Sequence, residues 1–117
     1  MDLDHAIGSH SEWRLKFRNA ISKQEEMDVA TISADNRCEL GKWLHGEARN
    51  KFGQLRSYAD CIQKHAAFHA EAGRVASVIN AKKYAQAERM LDGGTGYANA
   101  SSDACMAISL LKKEARL

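Results

Sequence analysis

Residues 57–80 read SYADCIQKHAAFHAEAGRVASVIN, and mostly apolar side chains recur along them at steps of three and four. The members of this stripe are Tyr58, Cys61, Ile62, His65, Phe68, His69, Ala72, Val75 and Ile79. Such spacing is typical of the buried face of an amphipathic helix, here about six turns long. Ser57 and Asp60 resemble a capping box at its start. We therefore predict one long helix with both histidines on its inward face.

The N-terminal segment carries a second stripe with the same period. Its members are Leu3, Ala6, His10, Trp13, Phe17 and Ala20. This pattern predicts a helix that runs to about Ser22 and holds His10 on its inward face. Residues 22–36 lose the register and are polar, so we expect the end of that helix and a connection there.

A short helix is indicated between these two long ones. Asn36 and Glu39 resemble a capping pair, which predicts a helix over residues 38–45 that begins with Cys38. Gly46 and Gly53 then bracket a poorly patterned stretch, which we interpret as a connection.

The C-terminal third of the chain predicts two more helices. Asn80 can cap a helix over residues 81–91, which three nearby glycines then end. The last helix follows them, and its stripe is Tyr97, Ala104, Ile108 and Leu111. The basic pair Lys112 and Lys113 lies near its end, where the helix dipole favours cations.

The composition agrees with a helical protein. The chain has no proline, where average usage would give roughly five or six in 117 residues. We predict an all-α fold, an antiparallel four-helix bundle with an additional short helix that carries Cys38, and a single domain over residues 1–117. The expected core contains Trp13, Phe17, Trp43, Phe68, Val75, Ile79, Ile108 and Leu111.

Charge and hydropathy argue against nucleic-acid and membrane partners. The 17 Lys and Arg residues nearly balance the 15 Asp and Glu residues, and they are dispersed along the chain. No apolar run approaches the roughly 18 residues of a membrane span, and the N-terminal residues do not resemble a signal peptide. We expect a soluble, cytoplasmic protein that binds neither nucleic acid nor membrane.

Three inward histidines suggest a metal site. His65 and His69 are four residues apart, so their rings lie one turn apart on one helix face. This pair alone is weak evidence, because hydrogen-bonded core histidines give the same pattern. His10 strengthens it, because three buried imidazoles without a shared partner would leave several ring nitrogens unsatisfied.

Cys38 is the candidate for a fourth ligand, since zinc typically takes four in a tetrahedron. In the first turn of a helix, a thiol lies near backbone N–H groups and the positive end of the dipole, which would lower its pKa. A thiolate there would both bind metal and react with oxidants. The alternative interpretation is a small buried hydrophobic residue.

The remaining histidines and cysteines fit the site less well. His5 points about 140° away from His10 on a continuous helix, so we expect it on the surface. His45 lies roughly 10 Å along the helix axis from Cys38, too far to share an ion unless the helix breaks. Cys61 and Cys105 lie beside apolar stripes and are interpreted as packing residues, since an odd set of three cysteines does not indicate a disulfide framework.

Three pieces of the sequence together resemble the chemoreceptor zinc-binding (CZB) domain family. They are His10-Ser11-Glu12-Trp13, Cys38-Glu39-Leu40-Gly41-Lys42-Trp43-Leu44 and His65-Ala66-Ala67-Phe68-His69. The first and last pieces are loose, whereas C-x-L-G-x-W-L in this order and spacing is specific. The resemblance covers nearly the whole chain.

The resemblance implies a helical regulatory module of bacterial signal transduction, with one zinc held by His10, Cys38, His65 and His69. It implies that Cys38 responds to zinc availability or to oxidants such as hypochlorous acid, and that the domain forms a homodimer. It also implies a signalling partner, a chemoreceptor or a diguanylate cyclase, in cis or in trans. No signalling hairpin, methylation helix or cyclase domain lies within these 117 residues, so we expect the output to come from elsewhere.

Three other functions would account for parts of this pattern. A hemerythrin-like di-iron oxygen-binding bundle also uses histidine pairs, but it needs inward carboxylates that the stripes lack. A zinc hydrolase keeps one coordination position open, which Cys38 would close, and no H-E-x-x-H or nucleophile and base pair is present. We therefore do not expect an enzyme. A helical bundle without metal is the remaining alternative.

Overall fold

The computed structural model describes all 117 residues and contains eight helices and no strand. The helices are α1 Leu3–Ser11, α2 Trp13–Lys23, α3 Val29–Ser33, α4 Glu39–His45, α5 Glu47–Phe52, α6 Arg56–Asn80, α7 Tyr84–Met90 and α8 Gly96–Ala115. The all-α class is confirmed. The finer prediction, a four-helix antiparallel bundle with one additional short helix, is not confirmed, because the chain forms more and shorter helices. None of them combines the length and the hydropathy that a membrane span requires.

The two longest helices, α6 and α8, form the centre of the molecule. They pack against each other more extensively than any other pair of helices. Helix α3 packs against α6, and helix α1 packs against α8. Six of the predicted core residues are buried, namely Phe17, Phe68, Val75, Ile79, Ile108 and Leu111. Trp13 and Trp43 are only partly buried and pack on the edges of the core.

The core is divided into two apolar clusters. Phe17, Phe68 and Ile79 belong to the first, and Leu3 and Leu111 belong to the second. Along α6, the second cluster ends at Cys61 and the first begins at Phe68. His65 therefore lies at the junction of the two clusters, and a polar site separates the two halves of the core.

Two segments for which the sequence predicts connections contain short helices. Within residues 22–36, α3 forms around one buried side chain, Ile32. Between Gly46 and Gly53, α5 forms around one buried side chain, Ala48. Helices this short are not stable on their own and depend on tertiary packing. They are also too short to show a periodic apolar pattern in the sequence.

All three predicted caps at residues 36, 57 and 80 are wrong. Asn36 is not a cap, because Cys38 itself is the N-cap of α4. The Ser57 N–H is bound by the Glu114 carboxylate of α8 at 3.1 Å instead of by its own helix. Asn80 ends α6, and its amide side chain donates to the carbonyl and accepts from the N–H of Met27, both at 2.8 Å. Local motifs missed these partners because they are distant in sequence.

Candidate metal centre

His10 enters the site from α1 with a fixed tautomer. Its side chain is buried, and its Nδ1 lies 2.7 Å from the Ala6 carbonyl oxygen. Because a carbonyl only accepts, Nδ1 carries the proton and donates it. The Nε2 of His10 therefore presents a lone pair to the interior.

His65 and His69 enter from the middle of α6. His69 Nδ1 lies 2.8 Å from the Ile32 carbonyl oxygen and donates to it, so its Nε2 also presents a lone pair. His65 Nδ1 is buried without a hydrogen-bond partner. Such an unsatisfied group lowers the free energy of unfolding by about 1–3 kcal/mol. His65 therefore destabilises the protein without metal.

Cys38 comes from the start of α4. Its extended backbone, with φ −78° and ψ 162°, makes it the N-cap, and its Sγ accepts from the Gly41 N–H at 3.3 Å. Burial raises the pKa of this thiol, although the Gly41 and Leu40 N–H groups act in the opposite direction. The expected lowering of the Cys38 pKa is therefore wrong for the protein without metal, because the loss of hydration outweighs the helix terminus.

The four predicted residues form one compact group of donor atoms. All lie within 4.8 Å of one another. His65 Nε2 lies 3.1 Å from His10 Nε2 and 3.0 Å from His69 Nε2. Cys38 Sγ lies 3.8, 3.3 and 3.5 Å from the Nε2 atoms of His10, His65 and His69.

Five of the six distances between these donor atoms lie near the edges of a zinc tetrahedron, and the sixth pair, the Nε2 atoms of His10 and His69, lies within 4.8 Å. With zinc–nitrogen bonds of about 2.0 Å and a zinc–sulfur bond of about 2.3 Å, two nitrogens lie about 3.3 Å apart, and nitrogen and sulfur about 3.5 Å apart. The histidine rings meet edge-on, at interplanar angles of 74–89°. Together with the short distances between their Nε2 atoms, this arrangement places the three ring nitrogens in one small volume.

The protonation state of the site also suits a cation. Burial, followed by the neighbouring His69 and His10, lowers the pKa of His65 to about 3. Burial likewise lowers the pKa of His10 and of His69, against the raising effect of their carbonyl partners. All three rings are neutral at pH 7, so protons do not compete for their lone pairs.

The set of donor atoms favours zinc over other metals. The Nε2 atom of His65 lies within 3.3 Å of two other ring nitrogens and of the Cys38 sulfur. It carries one proton at most, so hydrogen bonds from this atom cannot satisfy all three neighbours. A central cation would bind all of these donors, and three imidazoles with one thiolate are a typical zinc set. No carboxylate belongs to the group, which removes the bridging ligands that the di-iron alternative needs.

The other four candidate side chains lie outside this group. His5 is exposed. His45 Nε2 lies 3.1 Å from an Asp35 carboxylate oxygen on the surface. Cys61 is fully buried, and burial raises its pKa to about 12. The Sγ atom of Cys105 lies 3.7 Å from the Ser11 hydroxyl oxygen.

The residues that orient the ligands were not foreseen. The carbonyls of Ala6 and Ile32 fix two of the rings, an arrangement common around metal-binding histidines. Gly73 lets α3 approach α6, because a Cβ there would overlap the Ser33 hydroxyl. A glycine inside a strongly patterned helix is the one sequence signal that pointed to this close approach.

A family model matches the part of the chain that contains this site. The family model described as the chemoreceptor zinc-binding domain matches residues 10–76, more than half of the chain, and this range includes all four clustered side chains. No curated protein and no solved structure gives a significant match.

Proposed function

The chain belongs to the chemoreceptor zinc-binding domain family, and we propose that it is a regulatory module in which the four clustered side chains hold one zinc ion. The proposed ligands are His10, Cys38, His65 and His69. The observation that carries the proposal is the compact donor group, in which five of the six donor pairs lie 3.0–3.8 Å apart, as suits a tetrahedral ion.

Each ligand has a defined task in this proposal. His10 and His69 donate their Nδ1 protons to fixed carbonyls, which orients their Nε2 atoms before metal arrives. Cys38 gives up its proton and binds as thiolate, stabilised by the Gly41 N–H. A bound zinc ion supplies the positive charge that keeps this thiolate ionised despite its burial.

The site is placed so that occupancy affects the fold. Its ligands lie on α1, at the start of α4 and on α6, and α3 joins through the Ile32 carbonyl. The same site separates the two apolar clusters of the core. Loss of the metal or of one ligand therefore loosens four helices together, which is the conformational output that we propose.

Oxidation of Cys38 is the proposed second input. In the net step with hypochlorous acid, the Cys38 thiolate loses two electrons and gains the hydroxyl group as sulfenic acid, while chloride leaves. Cys38 is half-buried, whereas the three histidines expose 3% or less. Of the four ligands, the oxidisable one is thus also the most accessible.

The signalling context is proposed from the family. We propose that the module acts in a chemotaxis receptor or cyclic-di-GMP system, in the cytoplasm, as one domain over residues 1–117, with its signalling partner in cis or in trans. Homodimerisation is supported by the exposed side chains Met106 and Leu110 on α8, which leave 64% and 53% of their surface open. Sedimentation over a range of protein concentrations tests the homodimer.

Metal analysis of the purified protein tests the zinc proposal. About one zinc per chain is expected in the wild type, and Cys38→Ser and His65→Ala should lose or weaken it. His45→Ala is the matched control, because His45 lies outside the donor group, and it should keep the wild-type content. Wild-type protein that takes up no zinc after loading and desalting would overturn the proposal.

A further inference from the structure

A cleft connects the solvent with one side of the donor group. It has a volume of about 190 Å³, well above the roughly 10–15 Å³ that a cavity needs to hold one water. Cys38 and His10 lie in its wall, together with Ser9 of α1 and Lys16 of α2. Three other depressions, of 340–510 Å³, contain none of the four ligands.

We propose that this cleft is the route by which small molecules reach the Cys38 sulfur and by which zinc is exchanged, and that its walls limit the size of what enters. The zinc part of the inference rests on the proposed function. Access to the thiol does not, because it is a property of the fold without metal.

The opposite side of the site is closed by packing. His65 and His69 line none of the four cavities, and each exposes 3% or less of its surface. The His69 ring packs against Phe68 with 5.4 Å between ring centroids, and Phe68 is fully buried. A metal leaving through this side would have to cross the core, whereas two of the four ligands, Cys38 and His10, line the cleft.

Two side chains are placed to set the width of the cleft. Ser9 is small and half-buried, so a longer side chain there would project into the cleft. Lys16 extends over Trp13, with its ammonium nitrogen 4.6 Å from the ring centroid, and so forms an outer wall. Ser9→Met should narrow the cleft, and Lys16→Ala should widen it.

Thiol modification of the metal-free protein measures access. Methanethiosulfonates that transfer a methylthio or a benzylthio group share one reaction: the thiolate forms a disulfide with the transferred sulfur, and methanesulfinate leaves. A tryptic digest places the three cysteines on separate peptides, so mass spectrometry follows each rate, with Cys105, outside the cleft, as internal reference.

The narrowing variant should slow the benzylthio reaction at Cys38 about tenfold or more and the methylthio reaction less. The widening variant should accelerate the benzylthio reaction. Ser77→Met, the same substitution on an exposed position of α6 outside the cleft, should leave both rates unchanged. Equal Cys38 rates in all variants would overturn the inference, because access would then occur by opening of the fold.

Zinc transfer to a chromogenic chelator provides the second readout. Ser9→Met should keep about one zinc per chain and release it more slowly than wild type and Ser77→Met. Unchanged release with unchanged content would refute the exchange route. If wild-type protein binds no zinc, the proposed function fails, and the Cys38 rates still decide whether the cleft controls access.

Discussion

Without metal, the protein should lose stability on mild acidification, and His65 should dominate the effect. The folded pKa of His65 is about 3, far below its usual 6.5, and burial is the main cause. In an unfolded chain the ring takes up a proton as the pH falls through 6.5, whereas the folded protein resists this down to about pH 3. The stabilising contribution is thus complete above 6.5 and is lost as the pH falls from 6.5 towards 3.

The size of the effect follows from the two pKa values. Between pH 7 and pH 5, proton binding by the unfolded chain at this one site lowers the free energy of unfolding by about 2 kcal/mol. The pKa values of His10 and His69 are lowered in the same direction, so the total loss should be larger. The urea midpoint of the metal-free protein should fall on the order of 1 M over this range.

The assay is urea unfolding of chelator-treated protein at several pH values, followed by circular dichroism. His65→Leu is the informative variant, because it removes the titrating ring and also the buried nitrogen without a partner. It should be less sensitive to pH than wild type, and at pH 7 more stable by about 1–3 kcal/mol. A metal-free wild type whose midpoint does not move between pH 7 and pH 5 would refute the reasoning.

Three further substitutions probe the site and the fold around it. Gly73→Ala places a Cβ against the Ser33 hydroxyl and should cost about 1–3 kcal/mol and weaken zinc binding, measured by unfolding and chelator competition. Gly8→Ala, at an exposed position of α1 with no neighbour near the new methyl group, should instead stabilise the protein by about 0.5–1 kcal/mol, and a loss would contradict the helix assignment. Tyr58→Phe removes the buried hydrogen bond to the Leu44 carbonyl, 2.6 Å long, and should cost about 1–3 kcal/mol in thermal unfolding while zinc content stays unchanged.

The sequence predicted those parts of the fold that carry long periodic patterns. The stripe from Tyr58 to Ile79 lies on the buried face of α6, apart from the half-buried Ile62. The same register placed His65 and His69 inward, and the family resemblance that followed is confirmed. Helical periodicity sufficed because burial along these segments depends only on position around one helix axis.

Features that depend on contacts distant in sequence were not predictable. The partner of His69 is the Ile32 carbonyl, 37 residues away, in a helix too short to show a period. The N–H of Ser57 is bound by Glu114, so its resemblance to a capping box was misleading. The pKa of Cys38 depends on how deeply the start of α4 is buried, and the local sequence of α4 does not determine that depth.

X-ray absorption at the zinc edge of the purified protein tests the central claim most directly. Three nitrogens at about 2.0–2.1 Å and one sulfur at about 2.3 Å are expected around the metal. Cys38→Ser should remove the sulfur from this shell, whereas Cys105→Ser should leave it intact. A shell without sulfur in the wild type, or one with several sulfurs, would contradict a site built from these three histidines and Cys38.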